Sequence, residues 1–181
     1  MRIVGGKYKG RIFTPGKNFR SRPTTDIAKE GLFNILENRY FFDDKILLDL
    51  FSGTGSLAYE FISRGGKSAV MVEADIVHYR FIVSVLNKLK IDNVTVLKSD
   101  AFQFLKKYKG GTFDFILADP PYGLQRLSTI PDAVFSSGLL ANNGLFILEH
   151  PKEFNFATHP YFQEIRRYGK VHFSFFTKDH S

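Results

Sequence analysis

The sequence predicts a single-domain α/β fold in which a mostly parallel β-sheet is covered by helices on both faces. From residue 45 onward, short apolar runs alternate with stretches of helical periodicity. The runs are apolar almost throughout, which is typical of strands buried on both faces. The predicted strands are KILLDLF, KSAVMVE, NVTVLKSD, FDFILAD and GLFILEH, and the predicted helices span 56–64, 75–90, 101–109 and 124–137.

Two further elements flank these alternating segments. RPTTD at 22–26 predicts the start of a helix, because Pro23 interrupts the chain and Thr24 or Thr25 can cap the helix. The closing segment EIRRYGKVHFSFF predicts two antiparallel strands joined at 168–170, at one edge of the sheet. We divide the chain into an arm, residues 1–25, and a main part, residues 26–181, which together form one domain.

Composition excludes several classes of protein. Hydrophobic residues make up 44% and charged residues 24% of the 181, as in ordinary globular proteins. The absence of cysteine excludes disulfides and thiolate metal sites, and the five histidines show no metal-ligand spacing. No apolar run is long enough to span a membrane, and the N-terminus has no apolar signal segment. We therefore expect a cytoplasmic monomer that binds neither a metal nor a membrane.

The whole net charge of +7 is carried by the arm. Residues 1–25 hold seven basic and no acidic side chains, whereas the rest of the chain holds 18 of each sign. Such asymmetry is typical of a surface that binds a polyanion, although a basic tail that aids solubility has the same composition. Apolar residues interleave with the charges, and Gly-Gly at 5–6 and Lys-Gly at 9–10 predict turns, so we expect an ordered hairpin.

Acidic residues stand at the ends of four successive predicted strands. Asp49 ends the first, Glu73 the second, Asp100 the third and Asp119 the fourth. Ligands of open α/β sheets bind in a crevice outside the carboxyl ends of the strands. The sequence therefore predicts one crevice with a strongly negative rim.

The stretch DLFSGTGSLA at 49–58 predicts a ligand-binding turn after the first strand. Gly53 and Gly55 permit a tight turn and the close approach of a ligand. The G-x-G-x-x-A pattern, with Glu73 twenty residues beyond Gly53, also fits a dinucleotide fingerprint, so NAD is an alternative. Asp49 disfavours NAD, because a carboxylate beside the loop repels a pyrophosphate and attracts a cation. S-adenosylmethionine, with its sulfonium, ammonium and ribose, is the better candidate.

Two of the strand-end acids have specific candidate roles. Glu73 can accept hydrogen bonds from both hydroxyls of a ribose through its two carboxylate oxygens, the alternative being a solvated acid at a helix start. Asp100 precedes a predicted helix, where a role as N-cap is as well supported as a role in ligand binding.

ADPPY at 118–122 is the most specific motif in the chain. Because proline has no N–H, the Asp119 carboxylate and the Pro120 carbonyl can converge as a rigid pair of acceptors. An exocyclic amino group of a nucleobase has two N–H donors, and accepting both localises the nitrogen lone pair for attack on an electrophile. Tyr122 supplies a flat face for base stacking, worth about 1–3 kcal/mol. The alternative is a rigid loop without a ligand.

Together these motifs resemble a known family. DLFSGTG, VEAD, SDA and DPPY resemble the class I S-adenosylmethionine-dependent methyltransferases, which have a Rossmann-like fold, and among them those that modify exocyclic amines. The opening RIVGGKYKGR…RPTTD…KEGLFNIL and the closing RRYGKVHFSFF resemble the bacterial enzymes that methylate guanine N2 in small-subunit (16S) ribosomal RNA. The resemblance spans residues 2–177 and implies a seven-stranded sheet with a reversed last strand.

The resemblance also implies a role for each site residue. Residues that would hold S-adenosylmethionine are Asp49, Ser52, Gly53, Gly55, Glu73, Ala74, Asp100 and Ala101. Residues that would cradle the target guanine are Asp119, Pro120, Pro121 and Tyr122. Residues that would bind ribosomal RNA, free or in an assembling small subunit, are Arg2, Lys7, Lys9, Arg11, Arg20 and Arg22.

One segment departs from the family pattern. After RPTTD the family usually carries an arginine and a second basic residue, whereas here Ile27, Ala28 and Lys29 precede Glu30. The departure concerns the RNA or cofactor contacts of the first helix and leaves the ADPPY stretch unchanged.

Three other functions are alternatives. An adenine-N6 DNA or RNA methyltransferase uses the same DPPY chemistry, but an additional target-recognition region would be expected, for which 181 residues leave little room. A nicotinamide-linked oxidoreductase is disfavoured by Asp49 and has no use for DPPY. A non-catalytic ribosome-assembly factor would keep the fold and the arm, but has little reason to retain the whole set of crevice residues.

Overall fold

The computed structural model describes residues 1–16, 19 and 25–178. The helices are α1 (Asp26–Arg39), α2 (Ser56–Ser63), α3 (Ile76–Leu89), α4 (Ala101–Lys107) and α5 (Ile130–Ser137), with a short 3-10 helix at Leu127–Thr129. The strands are β1 (Ile46–Leu50), β2 (Ser68–Glu73), β3 (Val94–Lys98), β4 (Phe113–Ala118), β5 (Leu140–His150), β6 (Phe162–Tyr168) and β7 (Val171–Thr177).

The seven strands form one sheet in the order β3-β2-β1-β4-β5-β7-β6. Strands β1 to β5 run parallel, whereas β7 is antiparallel to both of its neighbours, β5 and β6. The predicted α/β fold, with a mostly parallel sheet and an antiparallel C-terminal hairpin, is therefore confirmed. Strand order reverses between β1 and β4, and a crevice at the carboxyl ends of strands is expected at such a switch point.

The core consists of two apolar clusters, one on each face of the sheet. One cluster packs α1, α2 and α3 against the sheet and includes Ile3 of the arm, whose side chain is fully buried. The other packs α4 and α5 against the opposite face. Coverage of both faces explains why the central strands are apolar almost without interruption, since residues on either side of each strand are buried.

The start of α1 follows the predicted capping pattern. Thr25 is the N-cap, and its hydroxyl accepts a hydrogen bond from the Ala28 amide at 3.2 Å. Asp26 lies in the first turn and Arg39 in the last, so both charges stabilise the helix dipole. Of the two candidate caps, Thr25 is thus the one the helix uses.

Two predicted boundaries differ from the structure by more than two residues. The helix predicted at 124–137 becomes regular only at Ile130, because the Leu124 amide donates to the Pro121 carbonyl at 2.8 Å and closes a turn first. Strand β5 begins at Leu140 rather than at Gly144, because Leu140 pairs with Phe113 ahead of an irregularity in the β4–β5 register.

The arm forms a shorter hairpin than its sequence predicts. Within its described residues, Arg2 and Ile12 make an isolated antiparallel bridge, and the Ile3 amide donates to the Arg11 carbonyl at 3.0 Å. Between these ends the backbone binds to α2 instead of continuing as strands. The Lys7 amide, for example, donates to the Ser63 carbonyl at 2.6 Å.

Candidate active site

A cavity of about 1110 Å³ opens at the carboxyl ends of the parallel strands. The predicted cofactor residues Asp49, Ser52 and Gly55, in β1 and in the loop that precedes α2, are not among the described residues that line it. The cavity combines residues that the sequence motifs assign to the cofactor with residues that they assign to the target base. The predicted site residues in its lining are Gly53, Glu73, Ala74, Asp100, Ala101, Asp119, Pro120, Pro121 and Tyr122.

The loop between β1 and α2 has the tight conformation that its glycines permit. Gly53 and Gly55 have φ angles of +53° and +79°, and the Gly55 amide donates to the Ser52 carbonyl at 2.6 Å. A Cβ atom on Gly55 would lie 2.6 Å from both Met71 and Tyr59, so the packing beneath the loop leaves no room for a side chain. The loop is therefore held against the strands.

Phe51, at the start of this loop, was not identified from the sequence. Its φ angle is +60°, a left-handed conformation that is strained for a bulky residue. Its ring lines the cavity and meets the Phe102 ring edge-on, with centroids 6.3 Å apart. No sequence signal marks a non-glycine residue with positive φ, because only the folded loop imposes it.

Glu73, at the end of β2, ties the glycine loop to the neighbouring strand. Its buried Oε2 accepts a hydrogen bond from the Gly53 amide at 2.8 Å, and its Oε1 accepts one from the Asp75 amide at 2.7 Å. A carboxylate has about four lone-pair sites, so acceptor capacity for a ligand persists beside these two bonds. His78, which no sequence motif identified, lines the cavity with its Nδ1 3.8 Å from Glu73 Oε1.

Asp49 is a buried acid beneath the glycine loop. Its Oδ2 has no hydrogen-bond partner among the residues that the structure describes. Burial, and to a smaller extent the nearby Glu73 charge, raise the pKa of this carboxyl to about 8, against the opposing effect of a hydrogen bond with Ser52. An orphaned buried acceptor with a raised pKa is electrostatically suited to a cationic ligand, which would stabilise its ionised form.

Asp100 and Ala101 lie where β3 leads into α4. Asp100 is the N-cap of α4, and its Oδ1 accepts a hydrogen bond from the Gln103 amide at 2.9 Å. The structure therefore gives Asp100 the capping role that the sequence left open. Both residues also line the cavity, and their contact with a ligand stays a prediction.

The diproline corner, residues 119–122, directly follows β4. The Asp119 amide donates to the Leu50 carbonyl at 3.4 Å, which continues the pairing of β4 with β1 beyond the strand. Pro120 is buried, whereas the Tyr122 side chain is 41% exposed at the cavity. Its hydroxyl donates to Glu149 Oε1 at 3.3 Å. The corner thus presents a carboxylate and an accessible aromatic ring to the same space.

Sequence reasoning did not assign Glu149 or the turn of the C-terminal hairpin to the site. Glu149 lies near the end of β5, is 4% exposed and lines the cavity. Its position in GLFILEH is the same strand-end signal that identified the four other acids. Residues 168–172, at the turn of the C-terminal hairpin, also line the cavity, although they are far in sequence from the glycine loop and the diproline corner. His150 next to Glu149 is buried, and its Nε2 lies 2.8 Å from Ser174 Oγ, which agrees with a structural role.

The predicted RNA-binding residues are partly described. Lys7, Lys9 and Arg11 are exposed on the arm, whereas Arg2 forms a salt bridge with Asp26 at 2.9 Å. Arg20 and Arg22 lie outside the described residues, as does Lys17. The described part of the arm therefore offers four exposed cations, of which Arg2 is engaged in a salt bridge.

Buried polar contacts fasten the arm to α1 and α2. Glu60 of α2, fully buried, accepts a hydrogen bond from the Val4 amide at 2.9 Å. Lys29 of α1, 1% exposed, donates to Ser56 Oγ at 2.8 Å and also to the Arg2 carbonyl. Because Ser56 directly follows Gly55, this lysine connects the arm to the glycine loop.

No described helix has the length and apolarity that a membrane crossing requires. Within the described ranges, no group of three or more histidine or acidic side chains is arranged to hold a metal ion.

Comparison with protein families gives a match over almost the whole chain. The family model described as Conserved hypothetical protein 95 matches residues 1–177. The chain belongs to this family. The resemblance that the sequence motifs indicated is therefore confirmed.

Named relatives of this member of the Conserved hypothetical protein 95 family are methyltransferases. The chain is 30% identical over 180 residues to ribosomal RNA small subunit methyltransferase D of Buchnera aphidicola, covering 97% of this chain and 91% of the relative. It is 32% identical over 160 residues to the Escherichia coli protein of the same name, covering 88% and 79% of the two chains. A solved structure of the putative methyltransferase yhhF from E. coli superimposes with a TM-score of 0.85, at 28% identity, over 100% of this chain and 99% of that one.

Proposed function

We propose that this protein transfers a methyl group from S-adenosylmethionine to the exocyclic N2 of a guanine in small-subunit (16S) ribosomal RNA. The observation that carries the proposal is that Asp119 and Tyr122 line the same cavity as Gly53, Glu73 and Asp100. A cofactor pocket and an amine-binding corner that share one cavity suit direct transfer between two bound molecules. The activity named for the relatives in B. aphidicola and E. coli agrees with this function.

The residues present fit S-adenosylmethionine. The unsatisfied Oδ2 of buried Asp49 suits a cation, and Gly53, which lines the cavity without a side chain, lets a ligand approach the backbone. Glu73 keeps acceptor capacity for the ribose hydroxyls, while Asp100 and Ala101 are proposed to meet the adenine. When bound, S-adenosylmethionine supplies a methyl group made electrophilic by its sulfonium.

At the diproline corner, hydrogen bonds position the target amine through its two N–H groups. The Asp119 carboxylate and the Pro120 carbonyl accept hydrogen bonds from the two N–H groups of guanine N2, which keeps the nitrogen lone pair out of the ring. Tyr122 stacks on the base. Asp119 need not be a strong base, since the nitrogen becomes acidic once it is methylated. Most of the rate enhancement comes from positioning, which can supply roughly 7–11 kcal/mol.

The arm supplies the contacts to RNA phosphates. Lys7, Lys9 and Arg11 are exposed, and the buried bonds of the arm to Glu60 and Ser63 support the proposal that arm and main part form one domain. Because a duplex hides base edges, the target guanine is looped or extruded from its stack. Ribosomal RNA, free or in an assembling small subunit, is the proposed partner; that the protein is a cytoplasmic monomer stays a prediction.

Transfer of labelled methyl groups tests this function. The protein is incubated with labelled S-adenosylmethionine and with ribosomal RNA or small subunits from cells that lack it, and the RNA is digested to nucleosides. We expect label in N2-methylguanosine at one position, located by mass mapping. Label in N6-methyladenosine would favour the adenine alternative. Binding without transfer to either substrate would favour an assembly factor, and calorimetric binding of NAD instead of S-adenosylmethionine would favour an oxidoreductase.

A further inference from the structure

Glu149 stands beside Asp119 on the neighbouring strand of the sheet. Ala118 of β4 is paired in parallel register with Leu148 of β5, so the next residues of the two strands are Asp119 and Glu149. Residues at matching positions of neighbouring strands project toward the same face. Both residues line the cavity, and Glu149 is 4% exposed. A second carboxylate therefore lies next to the one proposed to bind the target amine.

A hydrogen bond links Glu149 to the diproline corner. The Tyr122 hydroxyl donates to Glu149 Oε1 at 3.3 Å, although 27 residues separate the two in the chain. This bond orients the carboxylate relative to the ring on which the base is proposed to stack. A carboxylate has about four lone-pair sites, so it can accept from a base as well as from this hydroxyl.

The three amino-bearing nucleobases differ in the ring atom beside the amine. On the Watson–Crick edge of guanine, the neighbour of the N2 amine is N1–H, a donor. In adenine the neighbour of the N6 amine is N1, and in cytosine the neighbour of the N4 amine is N3; both atoms are acceptors. A carboxylate at this position therefore attracts guanine, and it repels the lone pair of the other two bases. Of the three bases, only guanine has adjacent donors, N1–H and the N2 amine, that match the adjacent carboxylates of Asp119 and Glu149.

We propose that Glu149 is a specificity-determining residue, whose carboxylate accepts the N1–H of guanine while Asp119 and the Pro120 carbonyl accept the N2 protons. The inference rests on the proposed methyl transfer and adds to it the recognition of the base. Buried groups that hydrogen-bond a substrate N–H can reject an analogue lacking it by about 10⁴–10⁵-fold. Selection of guanine over adenine would then arise within the cavity, independently of the RNA contacts of the arm.

2-Aminopurine separates the amine from the ring N–H. It carries the same amine at C2, but its N1 is an acceptor. Synthetic RNA with guanine or 2-aminopurine at the mapped target position is methylated by the wild-type protein and by Glu149→Gln, and kcat/KM is measured for each pair. The intrinsic reactivity of the two bases cancels when the two proteins are compared. The shift in the guanine to 2-aminopurine ratio therefore reports residue 149.

We expect Glu149→Gln to lower this ratio roughly 10–100-fold, since the amide of glutamine can donate to N1 of 2-aminopurine. Glu153→Gln, on an exposed residue of the same cavity, is the matched control and should keep the wild-type ratio. Calorimetry checks that both variants bind S-adenosylmethionine. Should Glu149→Gln not fold, Tyr122→Phe removes the bond that orients Glu149, and the ratio should again fall.

The outcomes distinguish the inference from the function on which it rests. An unchanged ratio in a folded Glu149→Gln protein overturns the inference and leaves guanine methylation standing. An unchanged ratio in Tyr122→Phe does the same where Glu149→Gln is not folded. Absence of methyl transfer to any RNA by the wild-type protein overturns both.

Discussion

The Glu73 carboxylate accepts a hydrogen bond from the Gly53 amide at 2.8 Å, across 20 residues of sequence. The acid at the end of β2 and the glycine loop after β1 are therefore one unit. The acid proposed to bind the ribose cannot be altered without also loosening the loop that is proposed to hold the methionine part of the ligand.

Replacing Glu73 by glutamine tests this unit. Glutamine has one acceptor oxygen, so it can serve only one of the two amides, Gly53 and Asp75, that the carboxylate binds. We expect affinity for S-adenosylmethionine to fall about 10–100-fold, the size of one or two hydrogen bonds to a charged group. Calorimetric titration measures the change, with Glu153→Gln as control. Equal dissociation constants for wild type and Glu73→Gln would refute this assignment.

Asp49 is expected to make the free protein less stable as pH rises. Its pKa is about 8 in the folded protein, against about 3.9 in the unfolded chain, so the folded state keeps a proton that the unfolded state has released. This contribution to stability is fully present below pH 4 and is lost toward pH 8, at up to about 1.4 kcal/mol per pH unit. Asp49→Asn removes the slope. Parallel stability curves for the two proteins in urea unfolding from pH 4.5 to 7.5 would contradict the burial argument.

Asp49 is also expected to make the affinity for S-adenosylmethionine increase as pH rises, whereas the stability of the free protein decreases. A cation favours the ionised form of Asp49, so affinity for S-adenosylmethionine should rise between pH 5.5 and 7.5, by up to about tenfold per unit. Calorimetry in two buffers of different ionisation enthalpy should show about one proton released per ligand at pH 7. Asp49→Asn should bind weakly and without proton release. If this variant released as many protons as the wild type, the released proton would come from a group other than Asp49.

Lys29 is expected to stabilise the whole N-terminal region. Its ammonium donates to Ser56 Oγ and to the Arg2 carbonyl and lies within 4.0 Å of Glu60. Burial lowers its pKa, while the Glu60 and Asp26 charges oppose this shift. Lys29→Met should lower the free energy of unfolding by about 2–4 kcal/mol, because buried acceptors lose their donor. Lys106→Met, on the exposed face of α4, should cost less than about 0.5 kcal/mol. Similar denaturant midpoints for the two variants would contradict the role of Lys29.

The exposed cations of the arm are expected to set the salt dependence of RNA binding. Neutralising Lys7, Lys9 and Arg11 together should weaken binding and reduce the slope of log K against log salt by about 0.7–0.9 for each RNA phosphate that these side chains neutralise. Substitution is preferable to deletion, since Ile3 belongs to the core. The matched control neutralises three exposed lysines after β3: Lys106, Lys107 and Lys109. Filter binding at several salt concentrations measures the slope. If the variant with a neutralised arm kept the wild-type slope, the arm would be excluded as the RNA-binding surface.

The strands and the diproline corner were predictable because their signals are local. Continuous apolar runs indicate strands covered on both faces, and an acid at the end of each run, such as Glu73 or Asp119, falls at the carboxyl edge of the sheet. Glu149 carries the same signal at the end of β5 and was open to the same reasoning. The predicted helix at 124–137 was wrong at its start because the turn closed by Pro121 precedes it.

Features that depend on contacts between distant segments were not predictable. The network of Lys29 joins residues 2, 29, 56 and 60, and no spacing in the sequence links them. The raised pKa of Asp49 follows from complete burial beneath the loop, which composition does not reveal. The arm shows the same limit, since its glycines indicated turns while its bonds to Ser63 shortened the hairpin.

The single-turnover rate of methyl transfer by Asp119→Ala tests the central claim most directly. The protein is mixed in excess over the target RNA with saturating labelled S-adenosylmethionine, so that product release does not limit the rate. Removal of one of the two acceptors of the N2 protons should lower the rate constant by roughly 10²–10⁴-fold, while S-adenosylmethionine binding is retained. A rate constant equal to that of the wild type would show that the diproline corner does not activate the amine.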